Sequence, residues 1–126
     1  MNQMTMSVPA KQEWGLVVHS ALQGVGVLAN LSVDMIEDLR TACDEAFDLL
    51  THQVRAATHI VLHCALEEGL LNVCLRAERA QCTQQCEPMD PEVSHLIIGT
   101  FVTDVHLEGD SCGIYSVKMS VPAATA

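Results

Sequence analysis

Residues 8–50 read VPAKQEWGLVVHSALQGVGVLANLSVDMIEDLRTACDEAFDLL, and this stretch decides the fold. Apolar residues recur at helical spacing over residues 11–29, which predicts a first helix. Ser32 suits the N-cap of a second helix, and Asp34 lies in its first turn, where the helix dipole favours anions. We expect this second helix to end near Gln53. Its predicted buried stripe consists of Ile36, Leu39, Cys43, Ala46, Phe47 and Leu50.

The rest of the chain alternates short β-rich runs with one further helical segment. The predicted strands are residues 4–8 at a sheet edge, then the hairpins 59–66 with 70–75 and 105–108 with 115–121. Residues 76–90 are polar and predict a loop. A third helix is expected over residues 92–103, with Asp90 as its cap and Pro91 in its first turn. The order β-α-α-β-β-α-β-β predicts an α+β fold, a two-layer sandwich with the helices on one face of the sheet.

Length and charge exclude several classes of function. The chain has 126 residues, enough for one domain, and a net charge of −10. Only six Lys and Arg residues are present and they do not cluster, which argues against nucleic-acid binding and against an anionic membrane surface. No signal peptide or membrane-spanning run is visible. We therefore expect a cytoplasmic protein whose six cysteines are reduced.

Three motifs resemble those of a known family. They are V-P-A-K at residues 8–11, I-E-D-L at residues 36–39 and A-C-D-E-A at residues 42–46, and the segment FVTDVHLEGD at residues 101–110 adds a weaker match. Together they resemble the bacterial anti-sigma-factor serine/threonine kinases. The resemblance implies that residues 1–126 form a single histidine-kinase-like ATPase (Bergerat) domain, structured over residues 3–121 with a tail at 122–126.

The resemblance also implies where ATP would bind, and the chain departs from the family there. In the family an E-A-x-x-N helix supplies a base and a magnesium-binding Asn, whereas here Glu45 is followed at i+4 by Leu49. The family's D-x-G-x-G stretch falls on Ala77, Arg79 and Gln81, so the adenine-binding Asp and both glycines are replaced. Lid glycines fall on Glu92 and Ser94, and Ser116 stands at the late Thr position. The chain thus predicts a vestigial nucleotide site. Glu45 is either a residual catalytic base or a surface carboxylate beside the apolar stripe.

By resemblance, two functions are open. The first is a transcription regulator that acts by contact with a sigma factor or a sulfate-transporter-like (STAS) anti-sigma antagonist, as a homodimer and without a cofactor. The alternative is a divergent ATP-dependent serine/threonine kinase that uses Mg-ATP and Glu45 to phosphorylate an antagonist. For the contact regulator, the first helix offers exposed-side candidates: Gln12, His19, Gln23 and Asn30.

A third hypothesis is a metal-binding protein. His59-x3-His63 on a predicted strand and Cys82-x3-Cys86 on the following loop could together hold zinc. The spacing is not the usual C-x2-C, so ordinary histidines and reduced cysteines are favoured and no metal is expected. Three further cysteines fall on apolar stripes and predict small core residues: Cys43, Cys64 and Cys74.

Overall fold

The computed structural model describes residues 2–53, 55–82 and 92–123. A short 3₁₀ helix, Gln12–Trp14, precedes the first α-helix. The helices are α1 (Gly15–Leu28), α2 (Val33–Thr51) and α3 (Glu92–Phe101), and the strands are β1 (Asn2–Pro9), β2 (Ala57–Glu67), β3 (Leu70–Arg79), β4 (Asp104–Asp110) and β5 (Gly113–Pro122).

The five strands form one antiparallel sheet in the order β1-β2-β3-β5-β4. Alternate residues of β2, β3 and β5 are buried under the helices, and the other face of the sheet carries most of the polar side chains. This arrangement confirms the predicted α+β sandwich with its helices on one face. Glu68 and Gly69, both at positive φ, connect β2 to β3 as expected of a tight hairpin turn.

Helix α2 follows the prediction closely. Ser32 Oγ accepts a hydrogen bond from Met35 N at 3.2 Å, which confirms Ser32 as the N-cap. The buried side of α2 is broader than predicted, because it includes Ala42 and Leu49 as well as the expected stripe. This broad side packs on the centre of the sheet, so α2 is the helix that positions the candidate site.

Helix α1 differs from its prediction in two ways. Its first turn is a separate 3₁₀ helix, and its apolar residues do not all face inward. Val18 and Leu22 are buried, whereas Val17 and Leu28, which also follow the helical spacing, are exposed. Apolar side chains occur on both sides of α1, so spacing alone could not select the buried side.

Two predicted boundaries near the third helix were wrong. Residues 76–79 continue β3 instead of starting a loop, because Ala77 is buried between the exposed Arg76 and Glu78 in strand alternation. Helix α3 ends at Phe101, before Thr103, whose N–H bonds Ser120 O at 3.0 Å in the approach to β4. The predicted cap Asp90 and Pro91 lie outside the described residues.

At the C-terminal end, β5 extends to Pro122, and Ala123 N donates to Gly69 O at 2.8 Å. The ordered chain therefore continues past the predicted start of a tail at residue 122. Within the described ranges, no helix is long and apolar enough to cross a membrane.

Candidate functional site

Leu49 lies in the hydrophobic core. Its exposed fraction is 4%, and it belongs to the same buried cluster as Ala77 of β3. The predicted buried stripe of α2 did not include Leu49, and that prediction was wrong at this position. Because Leu49 is three residues from Ala46 and seven from Ala42, it lies within the buried side of the helix. An apolar side chain in this position offers no atom to a cation.

Glu45 of α2 and Ser94 of α3, two of the predicted site residues, are in contact. Ser94 Oγ of α3 donates to Glu45 Oε1 of α2 at 3.1 Å, and both side chains are partly buried. This hydrogen bond joins α3 to α2 through Glu45, the residue that the resemblance identifies as a catalytic base. Glu45 therefore has a structural partner within the protein.

Glu45 also borders a cleft of about 460 Å³ between α1 and α2. Asp44 and Asp48 line the same cleft, together with apolar side chains such as Phe47 and Ile97. Neither Leu49 nor the positions predicted on β3 line it. The cleft is thus acidic, and it lies to one side of the predicted nucleotide site.

The carboxylates of this cleft already have partners. His19 Nε2 lies 3.4 Å from Asp44 Oδ2 but makes no hydrogen bond within the described residues. Burial raises the pKa of the Asp44 carboxyl, while His19 and Arg40 oppose that rise. Asp48 Oδ1 lies 3.0 Å from His52 Nδ1. His19, expected on the exposed side of the first helix, instead faces α2, with 21% of its side chain exposed.

Arg79 forms the strongest polar contact of the region. Its guanidinium donates to both carboxylate oxygens of Asp110, at 3.0 and 2.7 Å, and lies 5.0 Å from the centroid of the Tyr115 ring. The Arg79 guanidinium, with the Cys112 N–H, holds the pKa of the Asp110 carboxyl well below its usual range. Arg79 thus fills, with a paired side chain, a position where the family has glycine.

A second contact ties the end of α2 to β5 beside this ion pair. Gln53 Nε2 donates to Ile114 O at 2.6 Å, and Ile114 N donates to Gln53 Oε1 at 2.7 Å. A Cβ at Gly113 would collide with Gln53 Oε1, so the glycine permits this close approach. The end of the sheet under α2 is therefore closed by side chains of the protein itself.

Three predicted positions contribute less. Gln81 and Glu92 are exposed at the ends of described segments. Ser116 does not join the predicted site, because its Oγ lies 3.7 Å from Cys74 Sγ on the sheet face away from the helices. Val117, the next residue, occupies the helix-facing side instead.

Cys74 was predicted as a core residue and is only half-buried on the outer face of the sheet, whereas Cys43 and Cys64 are buried as expected.

The proposed zinc ligands are not assembled in the described part of the chain. It contains no group of three or more His, Cys, Asp or Glu side chains placed to hold a metal ion. His63 Nδ1 instead lies 2.8 Å from Thr5 Oγ1, and Cys112 Sγ lies 3.6 Å from Cys82 Sγ. Cys86 lies outside the described residues.

Comparison with known proteins reveals the fold. No family model matches the chain, and no curated protein matches its sequence. The crystal structure of the RsbU and RsbW domains of Rv1364c from Mycobacterium tuberculosis matches the whole of this chain with a TM-score of 0.76 at 12% identity. The likeness confirms the predicted fold. The match covers 34% of the Mycobacterium chain, so this chain spans about a third of the length of the protein it resembles.

One candidate surface was missed from the sequence. Leu16, Val27 and Leu28 of α1 are 69%, 63% and 78% exposed, and Gly24 lies between them on the same side of the helix. We call these four residues, with Val17, the α1 outer face. Exposed apolar side chains that line one side of a helix indicate a surface for contact with another protein. The sequence of α1 indicated this surface, because it contains more apolar residues than one buried side of a helix can accommodate.

Proposed function

We propose that this protein is a regulator related to the anti-sigma-factor kinases, which acts by protein contact and has a vestigial nucleotide site. The observation that carries the proposal is the burial of Leu49. In the resembled family this helix position supplies an asparagine that binds the magnesium of ATP. Here the position belongs to the core, and a core leucine supplies neither a ligand nor space for one.

The contacts of neighbouring positions support the same conclusion. Arg79, at a glycine position of the resembled motif, is held by Asp110 and lies against Tyr115. Ala77, at the adenine-binding Asp position, is 8% exposed and packs in the core. A nucleotide would have to displace a bidentate ion pair and enter a close-packed interior, and each of these steps opposes binding.

The alternative function, a divergent serine/threonine kinase, is favoured by one observation. Glu45 borders an open cleft with Asp44 and Asp48, and carboxylates are suitable ligands for Mg²⁺. Asp48, however, is paired with His52, and Glu45 accepts a hydrogen bond from Ser94. Because both carboxylates already have partners, each is less available to bind magnesium or to activate a substrate. We therefore rank the kinase second.

Titration with Mg-ATP by calorimetry tests the proposal. We expect no binding tighter than about millimolar, roughly −4 kcal/mol. A micromolar dissociation constant would overturn the vestigial site. The matched control is Asp48→Asn: tight binding that this substitution abolishes would assign the magnesium to the cleft and favour the kinase. Phosphoryl transfer from labelled ATP that Glu45→Gln eliminates would establish that alternative.

The regulatory partner is the second part of the proposal. We infer that the α1 outer face binds either a second copy of this chain or a sigma factor or STAS-type antagonist. Its apolar side chains supply the area, and Gly24 supplies room, because a Cβ at that position meets no atom within 4 Å. The net charge of −10 favours a basic surface on a partner that is not a copy of this chain.

A further inference from the structure

Cys82 and Cys112 lie together although thirty positions separate them in the chain. Cys112 Sγ is 3.6 Å from Cys82 Sγ, and a disulfide bond of about 2.05 Å requires only a small approach of the two sulfurs. Cys82 is exposed, just beyond the end of β3, and Cys112 is half-buried in the turn between β4 and β5. An oxidant in solution can therefore reach this pair.

The other described cysteines are placed differently. Cys43 and Cys64 are buried, and burial raises the pKa of the Cys64 thiol to about 11 and that of Cys43 well above its ordinary value. Since the thiolate is the reactive form, these two thiols are poor targets for oxidation. Cys74 lies on the outer face of the sheet, where its Sγ is 3.7 Å from Ser116 Oγ. Selectivity for one pair thus follows from position and burial.

We propose that Cys82 and Cys112 are a reversible redox site, which closes to an intramolecular disulfide when the protein meets hydrogen peroxide. The Cys82 thiolate attacks one peroxide oxygen, and hydroxide leaves to give a sulfenic acid. The Cys112 thiolate then attacks the Cys82 sulfur, forms the S–S bond and expels the second hydroxide. Two protons from the two thiols convert the hydroxides to water, so two electrons pass from the sulfurs to one peroxide.

The disulfide would act on the region of the vestigial site. Cys112 N donates to Asp110 Oδ1 at 2.9 Å, and Asp110 holds Arg79, three residues before Cys82. A covalent bond would fasten the exit of β3 to the β4–β5 turn next to this ion pair. It would also join the two ends of the segment that carries α3, the helix bonded to Glu45 through Ser94.

The test is peptide mapping of the full-length protein after exposure of the reduced form to hydrogen peroxide. Digestion with trypsin and a glutamate-specific protease separates residues 80–92 from the peptide that contains Cys112. We expect these two peptides to be linked, with loss of two hydrogens, and released by dithiothreitol. Linkage raises the melting temperature by roughly 10 °C, because the disulfide restricts the unfolded chain. Unlinked peptides after oxidation, or a link only between different molecules, would overturn the proposal.

Residues 80–92 also contain Cys86, so serine variants assign the bond. We expect Cys86→Ser to keep both the link and the melting shift, and Cys82→Ser and Cys112→Ser to lose both. A link that survives Cys82→Ser and disappears with Cys86→Ser would refute the assignment to Cys82. Because the mapping of the wild type needs no variant, a variant that fails to fold leaves the proposal open to refutation.

Discussion

Replacement of Leu49 by asparagine restores the residue type that the resembled family uses, and we expect it to unfold much of the protein. Truncation of a buried leucine to alanine costs about 2–5 kcal/mol. Leu49 is 4% exposed, which places the cost in the upper half of that range. The asparagine amide adds an unmet hydrogen-bonding requirement of about 1–3 kcal/mol. The expected loss is therefore about 4.5–8 kcal/mol of unfolding free energy.

A loss of this size is large for a domain whose total stability is about 5–15 kcal/mol. Urea unfolding followed by circular dichroism measures it directly. With a slope of about 2 kcal/mol per molar urea, the midpoint should fall by roughly 2–4 M. Leu49→Met is the matched control, since it conserves volume and polarity and should cost less than about 1.5 kcal/mol.

The result that refutes this reasoning is a stable asparagine variant. A loss below about 1 kcal/mol would mean that residue 49 borders open space, as exposed substitutions usually cost little. The space around residue 49 would then be open, although Ala77 and Arg79 would still replace an Asp and a glycine of the resembled motif. Mg-ATP titration of the folded variant would test nucleotide binding directly, and binding there would remove the main support for the contact regulator.

Two further predictions concern the α1 outer face and the Arg79–Asp110 pair. Gly24→Leu should keep the melting temperature and weaken self-association in light scattering. The control Gly26→Ala should lower the melting temperature, because its Cβ would lie 2.8 Å from Ile36 Cγ1. A wild-type monomer at high concentration would contradict a homodimer. The folded-state pKa of Asp110 is depressed, so its stabilisation is present above the ordinary value of about 4 and is lost as pH falls through the folded value. Asp110→Asn should flatten the decline of melting temperature between about pH 5 and pH 2, and an unchanged slope would exclude the pair as a source of acid sensitivity.

The order of helices and strands could be predicted because each long element has a clear period. Helix α2 combines a capping Ser32, an acidic first turn and a stripe of apolar residues, and these features agree with one another. The end of β3 was missed because Arg76, Glu78 and Arg79 make the segment polar. Only the small, buried Ala77 shows the alternation, and its burial depends on α2 overhead.

The site was less predictable, because it depends on register and on contacts between distant residues. A motif alignment placed Ser116 in the nucleotide site, but a displacement of one residue along a strand moves a side chain to the opposite face. The pairing of Ser116 with Arg76 fixes it on the outer face of the sheet. The Arg79–Asp110 and Cys82–Cys112 contacts each join β3 or its exit to the β4–β5 hairpin. No pattern within a single segment of the sequence predicts contacts between residues this far apart in the chain.

Four positions that the resemblance places in a nucleotide site have structural contacts in this protein. Leu49 and Ala77 pack in the core, Arg79 is held by Asp110, and Ser94 binds Glu45. Reversal of any one of them would break a contact on which packing now depends, before it restored any ligand. Arg79→Gly, for instance, would leave the Asp110 carboxylate without its guanidinium partner. Since a single reversal leaves the other positions altered, we expect ATP binding to require several simultaneous changes. Under the proposed function the protein acts through its surface, and the α1 outer face is a candidate because the fold does not bury its apolar side chains.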